Sequence, residues 1–262
     1  MDSVNKTLYI PLYGKSLVSR KGILLHDPKA EEIWAKEGFP LKGKSKSRYL
    51  AYYMGMRSAV FDQWLRTRLD VNPGAVVLHI GCGMDSRVLR VGTCGHPWFD
   101  VDFPAVIEER KRYFTELENY HMLGTDAREL QWLSRVPEAE AAIVVMEGVS
   151  MYMPPEELRQ LLRGLASRFP RTYLLLDCYT SFAARASRIR NPINEVGVTK
   201  VWGVDDPLEL VDGTGLCFLD ERSMTPPELI RELTGMERRI FQNIYGGSLS
   251  KKLYRLYEYQ SK

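Results

Sequence analysis

The 262-residue chain contains no run of about 18 apolar residues, so nothing in it reads as a membrane span. The stretch Met1 to Ile10 lacks the apolar core of a secretory signal. Cysteine is sparse: Cys82, Cys94, Cys178 and Cys217 form no C-x-x-C pair, which argues against a zinc site or a disulfide framework. Unpaired thiols suit a reducing, cytoplasmic setting. Only four histidines occur, His26, His79, His96 and His121, and none stands at metal-ligand spacing with another or with a cysteine. Charge is nearly balanced at a formal +3, with no arginine-rich run interleaved with aromatics, so the chain does not call for a nucleic-acid partner. No internal repeat is visible at the periods of solenoid proteins.

What is present reads as one α/β domain. Hydrophobic residues make up 45% and charged residues 26%, enough for a full core. The first part reads as helical. Pro28 to Lys36 follows Asp27, a fitting N-cap with proline at the first helical position. A longer helix covers Ser47 to Leu69, its apolar residues recurring every three to four positions, and Asn72-Pro73-Gly74 ends it. Short apolar runs then alternate with helical patterns: strands at Ala75–Ile80, Trp98–Val101, His121–Leu123, Ala141–Met146 and Tyr173–Leu176, helices at Pro104–Leu117 and Pro154–Phe169. Such alternation predicts a parallel sheet with right-handed crossovers. The segment from Thr180 to Thr225 reads as irregular, a lid insertion. A helix follows from Pro226-Pro227, and the runs Arg238–Tyr245 and Leu253–Tyr259 read as a closing hairpin. The expected organisation is a helical cap (1–72), a cofactor-binding core (73–179), a lid (180–225) and a closing helix and hairpin (226–262).

Ligands of open α/β sheets bind beyond the carboxyl ends of the strands. Here those ends carry Gly81-Cys82-Gly83, Asp102, Asp126 and Glu147, in that order. Glycines after the first strand let a ligand approach the backbone, and an acidic residue about 20 positions on can accept both hydroxyls of a ribose. A dinucleotide site wants a third glycine where this chain has Ser86, and Asp85 beside it would repel a pyrophosphate at the following helix N-terminus. S-adenosylmethionine (SAM) carries no phosphate, and its sulfonium and amino groups tolerate carboxylates. The pattern favours SAM over a nicotinamide dinucleotide.

The stretches His79–Arg87 and Phe99–Pro104 resemble the leucine carboxyl methyltransferase family, which includes protein phosphatase methyltransferases and tetracenomycin-type polyketide O-methyltransferases. Three further signatures agree: Gly55-Met56-Arg57 with Asp62 downstream, Gly124–Arg128, and Val145–Met153. The resemblance implies a class I methyltransferase fold, a doubly wound seven-stranded sheet with its last strand antiparallel and a helical N-terminal extension. It implies that Arg57 pairs with the methionyl carboxylate of SAM, that Gly81 and Gly83 back the methionyl segment, that Asp102 holds the ribose, that Asp126 and Ala127 address the adenine, and that Glu147 lies near the amino group. Read only as a helix residue, Arg57 would form a surface ion pair with Asp62, and Arg87 is a structural residue pairing with a nearby carboxylate.

Acceptor-side candidates are Tyr152, Asp177, Tyr179 and, on the lid, the cations Arg185 and Arg188, with Arg190 and Lys200 in the same segment. A carboxylate acceptor is already ionised and needs no base, whereas a phenol would need one, and no histidine is obviously placed to serve. The expected activity is SAM-dependent methylation of a carboxylate or acidic hydroxyl on a small, polyketide-like acceptor, releasing S-adenosylhomocysteine (SAH). A methyltransferase acting on a protein C-terminus and a non-catalytic SAM-binding protein are the alternatives.

Overall fold

The computed structural model describes residues 8–37, 41, 43–187 and 200–261, the side chains of residues 44, 248 and 249 excepted. Three helices come first: α1 (Tyr9–Arg20), α2 (Pro28–Glu37) and α3 (Arg48–Val71). The alternating core follows as β1 (Val76–Ile80), α4 (Arg87–Val91), β2 (Trp98–Asp102), α5 (Pro104–Arg110), β3 (Tyr120–Gly124), β4 (Ala141–Met146), α6 (Pro155–Arg168) and β5 (Arg171–Tyr179). The remainder comprises α7 (Ser181–Ser187), β6 (Leu216–Arg222), α8 (Pro227–Ile230), α9 (Gly235–Ile240), α10 (Ser248–Lys251) and β7 (Tyr254–Ser261).

The seven strands form one sheet in the order β3-β2-β1-β4-β5-β7-β6. Strands β1 to β5 are parallel, and β7 lies antiparallel between β5 and β6. This is the doubly wound sheet with an antiparallel last strand expected above. Its strand order reverses at β1, between β2 and β4, and opens a crevice at their carboxyl ends. Both β1 and β4 are buried at every residue because helices cover both faces. On one face α6 contributes Leu158, Leu161, Leu162 and Leu165, a three-to-four stripe, to a core with Leu78, Val144 and Leu176. Each such side chain stabilises the fold by about 1.5–3 kcal/mol relative to exposure. On the other face Phe61, Trp64 and Leu65 of α3 pack on Val77, Ile143 and Val145, joined by Leu12 of α1 and Ile33 of α2. Asp27 caps α2 as anticipated, its Oδ1 accepting the Ala30 N–H at 2.9 Å.

Three expectations need correction. The 180–225 segment is not wholly a peripheral insertion: Leu216–Arg222 is β6, the edge strand, and it pairs with β7 across an irregularity between Phe218 and Asp220. The closing hairpin does not form, because Gly235–Tyr245 is helical, ending in a π turn over Phe241–Tyr245. Phe241 and Tyr245 stack at 4.5 Å, four residues apart on one helical face, and Phe241 packs on Tyr52 of α3. Lastly, the helix expected over 104–117 stops at Arg110, where Tyr113 N–H donates to the Arg110 carbonyl in a tighter turn. Among the described residues no helix is long and apolar enough to cross a membrane.

Candidate active site

A cavity of about 1020 Å³ opens at the carboxyl ends of β1, β2, β3 and β4. Arg57, Gly81, Gly83, Asp102, Asp126, Ala127 and Glu147 all line it. Residues separated by up to 90 positions in sequence therefore share one wall, because parallel strands bring their polar ends to one edge of the sheet.

The turn after β1 makes the close approach possible. Gly81 has φ +68°, and a Cβ there would fall 2.1 Å from Val149 Cγ2. Only glycine fits. The Gly83 N–H donates to Asp102 Oδ2 at 2.8 Å, and the Phe103 N–H donates to Oδ1 at 2.8 Å. These two bonds fix the carboxylate at the end of β2. Burial nonetheless pushes the Asp102 pKa up to about 6. Arg110 supports the same turn from behind, donating to the Gly83 carbonyl at 3.0 Å while pairing with buried Asp100. Asp126 is held by Arg128 side-chain and backbone donors, which lower its pKa.

The other end of this wall is ionic. Arg57 is buried, so the surface pair with Asp62 does not form; Asp62 is taken by Arg87 and Arg90 at 2.8 and 2.7 Å. Arg57 Nε donates to Glu147 Oε1 at 3.1 Å, and Nη1 donates to Asp177 Oδ2 and to the Tyr254 hydroxyl, both at 2.9 Å. Its Nη2 also lies 3.0 Å from Glu147 Oε1. Gly148 lies flat on the guanidinium, where a Cβ would sit 3.4 Å from both Nη atoms, and its φ of +72° suits glycine. Burial would raise the Glu147 pKa, but Arg57 and Arg87 bring it down to about 2. Arg87 is structural, as expected, clasping Glu147 and Asp62.

Asp85 stands at the start of α4, but not as a bare charge. Lys15 Nζ (3.1 Å), Arg87 and Arg90 surround it and, against burial, hold its pKa well below the usual carboxylate range. Lys15 was not anticipated. It lines the cavity from α1, although its side chain is only 4% exposed. Its signal was a lysine inside the apolar stripe Leu8, Leu12, Lys15, Val18, at four–three–three spacing.

The acceptor candidates divide. Tyr152 and Tyr179 line the cavity. Asp177 does not: it is fully buried, accepting from Gly148 N–H (2.6 Å) and the Tyr254 hydroxyl (2.7 Å) behind Arg57. Burial raises its pKa, opposed by Arg57 and Gly148. Arg185 points to solvent from α7, while Ala183, Ala186 and Ser187 of the same helix line the cavity. Arg188 and Arg190 lie outside the described residues. Further cavity-lining residues that sequence reasoning missed are Tyr53 and Met54 on α3, Met151, Tyr245 and Tyr254. The rings of Tyr179 and Tyr53 lie 4.9 and 6.3 Å from that of Tyr254.

No histidine is poised on the acceptor side. His79 reaches the cavity wall but is bonded to Asp100 through Nδ1 and to Arg87 through Nε2, and burial lowers its pKa. His96 is bonded to the Ala75 carbonyl, His121 stacks on Phe99, and exposed His26 borders a separate groove. Burial pushes the Cys82 thiol well up, away from thiolate character.

A model of the leucine carboxyl methyltransferase family matches residues 3–166. The tetracenomycin polyketide synthesis O-methyltransferase of Streptomyces glaucescens is 29% identical over 241 residues, covering 91% of this chain and 89% of that one. A SAM-dependent methyltransferase of Gibberella zeae is 28% identical over 182 residues, covering 64% of this chain and 61% of its own. Among solved structures, magnesium protoporphyrin IX methyltransferase from Synechocystis PCC 6803 with bound SAH superposes with a TM-score of 0.52 at 13% identity, covering 90% of this chain and 93% of that one. That likeness is one of fold.

Proposed function

We propose, given that the chain belongs to the leucine carboxyl methyltransferase family and is a SAM-dependent O-methyltransferase, that its acceptor is the carboxylate of a small, planar aromatic acid. The observation that carries the reading is the character of the acceptor end. Tyr53, Tyr152, Tyr179 and Tyr254 line it with Met54 and Met151, and no histidine there is placed to take a proton. A neutral phenol, with a pKa of about 10, would need such a base, while a carboxylate would not. Flat aromatic and thioether walls suit a polycyclic ring system. The Streptomyces relative, named for polyketide synthesis, supports the same class.

The cavity suits the cofactor. Its glycine turn admits a ligand against the backbone, Asp102 presents a fixed carboxylate to a diol, and anionic and cationic side chains alternate at the far end for an amino-acid moiety. When bound, SAM supplies an electrophilic methyl group on a positively charged sulfur. Asp102 would hold the ribose, Asp126 and the backbone of Ala127 the adenine, Lys15 Nζ and Arg57 Nη2 the methionyl carboxylate, and Glu147 the ammonium. The protein's remaining work is alignment and exclusion of water, which the tyrosine cluster provides. A carboxylate set between aromatic rings rather than beside a guanidinium keeps its nucleophilicity.

The test is an assay of SAH release, with mass-spectrometric detection of ester, on polycyclic aromatic acids, their phenolic analogues and a peptide ending in leucine. Ester formation on the acids alone is the expected result. Methylation of the peptide, or of phenols in preference to acids, would displace this reading.

A further inference from the structure

The two ends of the cavity meet at one side chain, Tyr254. It opens β7 and stands directly opposite Tyr179 of β5 in the antiparallel register. Residues two apart on a strand share a face, so Asp177 and Tyr179 point the same way. Tyr254 is the direct cross-strand neighbour of Tyr179 and the diagonal neighbour of Asp177. On α3, Tyr53 and Arg57 are one helical turn apart and meet that face of the sheet. The ring of Tyr254 thus lies 4.9 Å from that of Tyr179 and 6.3 Å from that of Tyr53, both in the acceptor wall. Its hydroxyl sits in a closed triangle. Arg57 Nη1 donates to it at 2.9 Å, it donates to Asp177 Oδ2 at 2.7 Å, and Arg57 Nη1 donates to the same Oδ2 at 2.9 Å. Hydrogen bonds to charged partners of this kind are the strong ones. The hydroxyl proton is committed to a fully buried carboxylate, so Tyr254 is an anchor here and not a proton carrier.

We propose that Tyr254 is a positioning residue for methyl transfer. Its ring is braced in the acceptor wall, and its hydroxyl is pinned to the guanidinium assigned to the methionyl carboxylate. One rigid side chain therefore registers the acceptor against the sulfur of SAM. The inference rests on the cofactor and acceptor placements proposed above. A tyrosine turns about only two side-chain torsions, and here both its ring and its tip are held. Without the hydroxyl the ring keeps its neighbours but loses the bond that fixes its tilt and depth. In-line transfer tolerates little error, and a displacement of about 1 Å can cost about 100-fold in rate. The loss should fall on turnover and not on SAM binding, because Arg57 keeps Glu147 and Asp177.

Tyr254→Phe in the full chain tests it, assayed on a polycyclic aromatic acid that the unaltered protein esterifies. The expected result is a kcat about 10- to 100-fold lower, with the SAM dissociation constant within about three-fold by calorimetry. Unchanged turnover overturns the proposal, since ring packing alone would then suffice. A SAM dissociation constant that rises in step with the loss of turnover also overturns it, since the hydroxyl would then serve Arg57 alone. A second measurement needs no acceptor. Saturating SAH should slow backbone hydrogen exchange at Gly81–Gly83, beside the cofactor, and also over residues 179–187 and 250–256, which only the Tyr254 link reaches. In Tyr254→Phe the first protection should stay and the second should vanish. Protection over 179–187 that persists in the variant, or that is absent from the unaltered protein, overturns the proposal. If none of the acids is esterified, the acceptor reading falls and hydrogen exchange decides. If SAH protects nothing at Gly81–Gly83, the cofactor placement falls and takes the proposal with it.

Discussion

The two ends of the cavity are built by different means. The cofactor end stands on strand termini and α3, and its charged side chains hold one another before any ligand arrives. The acceptor end is assembled from tyrosines and methionines of α3, the segment after β4, the end of β5 and residues 245–254, with small residues of α7. Ion pairs with several partners fix positions, whereas methionine adapts to the shape it encloses. On the proposed reading, the cofactor sits against charged groups locked by one another, and the acceptor meets side chains whose identity can change without breaking those ion pairs.

The comparison can be broken most sharply at Arg57. Arg57→Ala strands Asp177 in the interior without a cation and leaves Glu147 with Arg87 alone, and should cost about 3–5 kcal/mol of stability in denaturant unfolding and abolish measurable SAM binding. Asp102→Asn comes next. Its amide can accept from only one of the Gly83 and Phe103 N–H groups, and SAM affinity should fall roughly 10- to 100-fold by calorimetry, the value of hydrogen bonds to a charged group. The same carboxylate gives a pH signature. Its pKa near 6 in the unliganded fold lies above the ordinary carboxylate value. Folding therefore favours the neutral form, a contribution present at low pH and lost as pH rises through about 6. Cofactor binding has the opposite sign: affinity should drop by up to about ten-fold per pH unit below 6, and Asp102→Asn should flatten that dependence. At the acceptor end, Tyr152→Ala should raise the acceptor KM by about 5- to 30-fold, a loss of about 1–2 kcal/mol of packing, and leave the SAM dissociation constant unchanged. The smallest effect belongs to Arg185→Ala. Because Arg185 faces solvent, acceptor KM should stay within about two-fold, as for a surface change of under about 0.5 kcal/mol. A large rise there would restore Arg185 to the acceptor side, where the sequence suggested it.

The same contrast governs what could be read before the structure. Strand ends are local: an apolar run followed by Gly81, Asp102, Asp126 or Glu147 announces its own position, and parallel topology does the rest. Arg57 was legible only through the family resemblance, since its place on a helix pointed to a surface pair with Asp62 that does not form. What escaped depended on distant partners or on a misjudged period. Lys15 is meaningful only because α1 packs beside Asp85, 70 positions on. Asp177 reads as another strand-end acid, yet Arg57 and Tyr254 turn it into the interior. In Arg238–Tyr245 the β-branched and aromatic residues suggested a strand, although Phe241, Ile244 and Tyr245 stand at helical spacing. The edge strand β6 hid inside the expected lid because its pairing slips between Phe218 and Asp220, blurring the alternation of Leu216–Arg222.

Gly14 of α1 and Gly55 of α3 carry a consequence for engineering. A Cβ on Gly14 would lie 2.8 Å from Met54 Cβ, and one on Gly55 would lie 2.9 Å from Val18 Cγ2, so the two helices touch backbone to side chain with nothing to spare. That intimacy delivers the ammonium of Lys15 to a pocket otherwise made by the sheet. The amino-terminal helices are therefore not an exchangeable module. A chimera that grafted a relative's cap onto this sheet would have to inherit both glycines and the lysine together, or lose a wall of the binding chamber along with its cover.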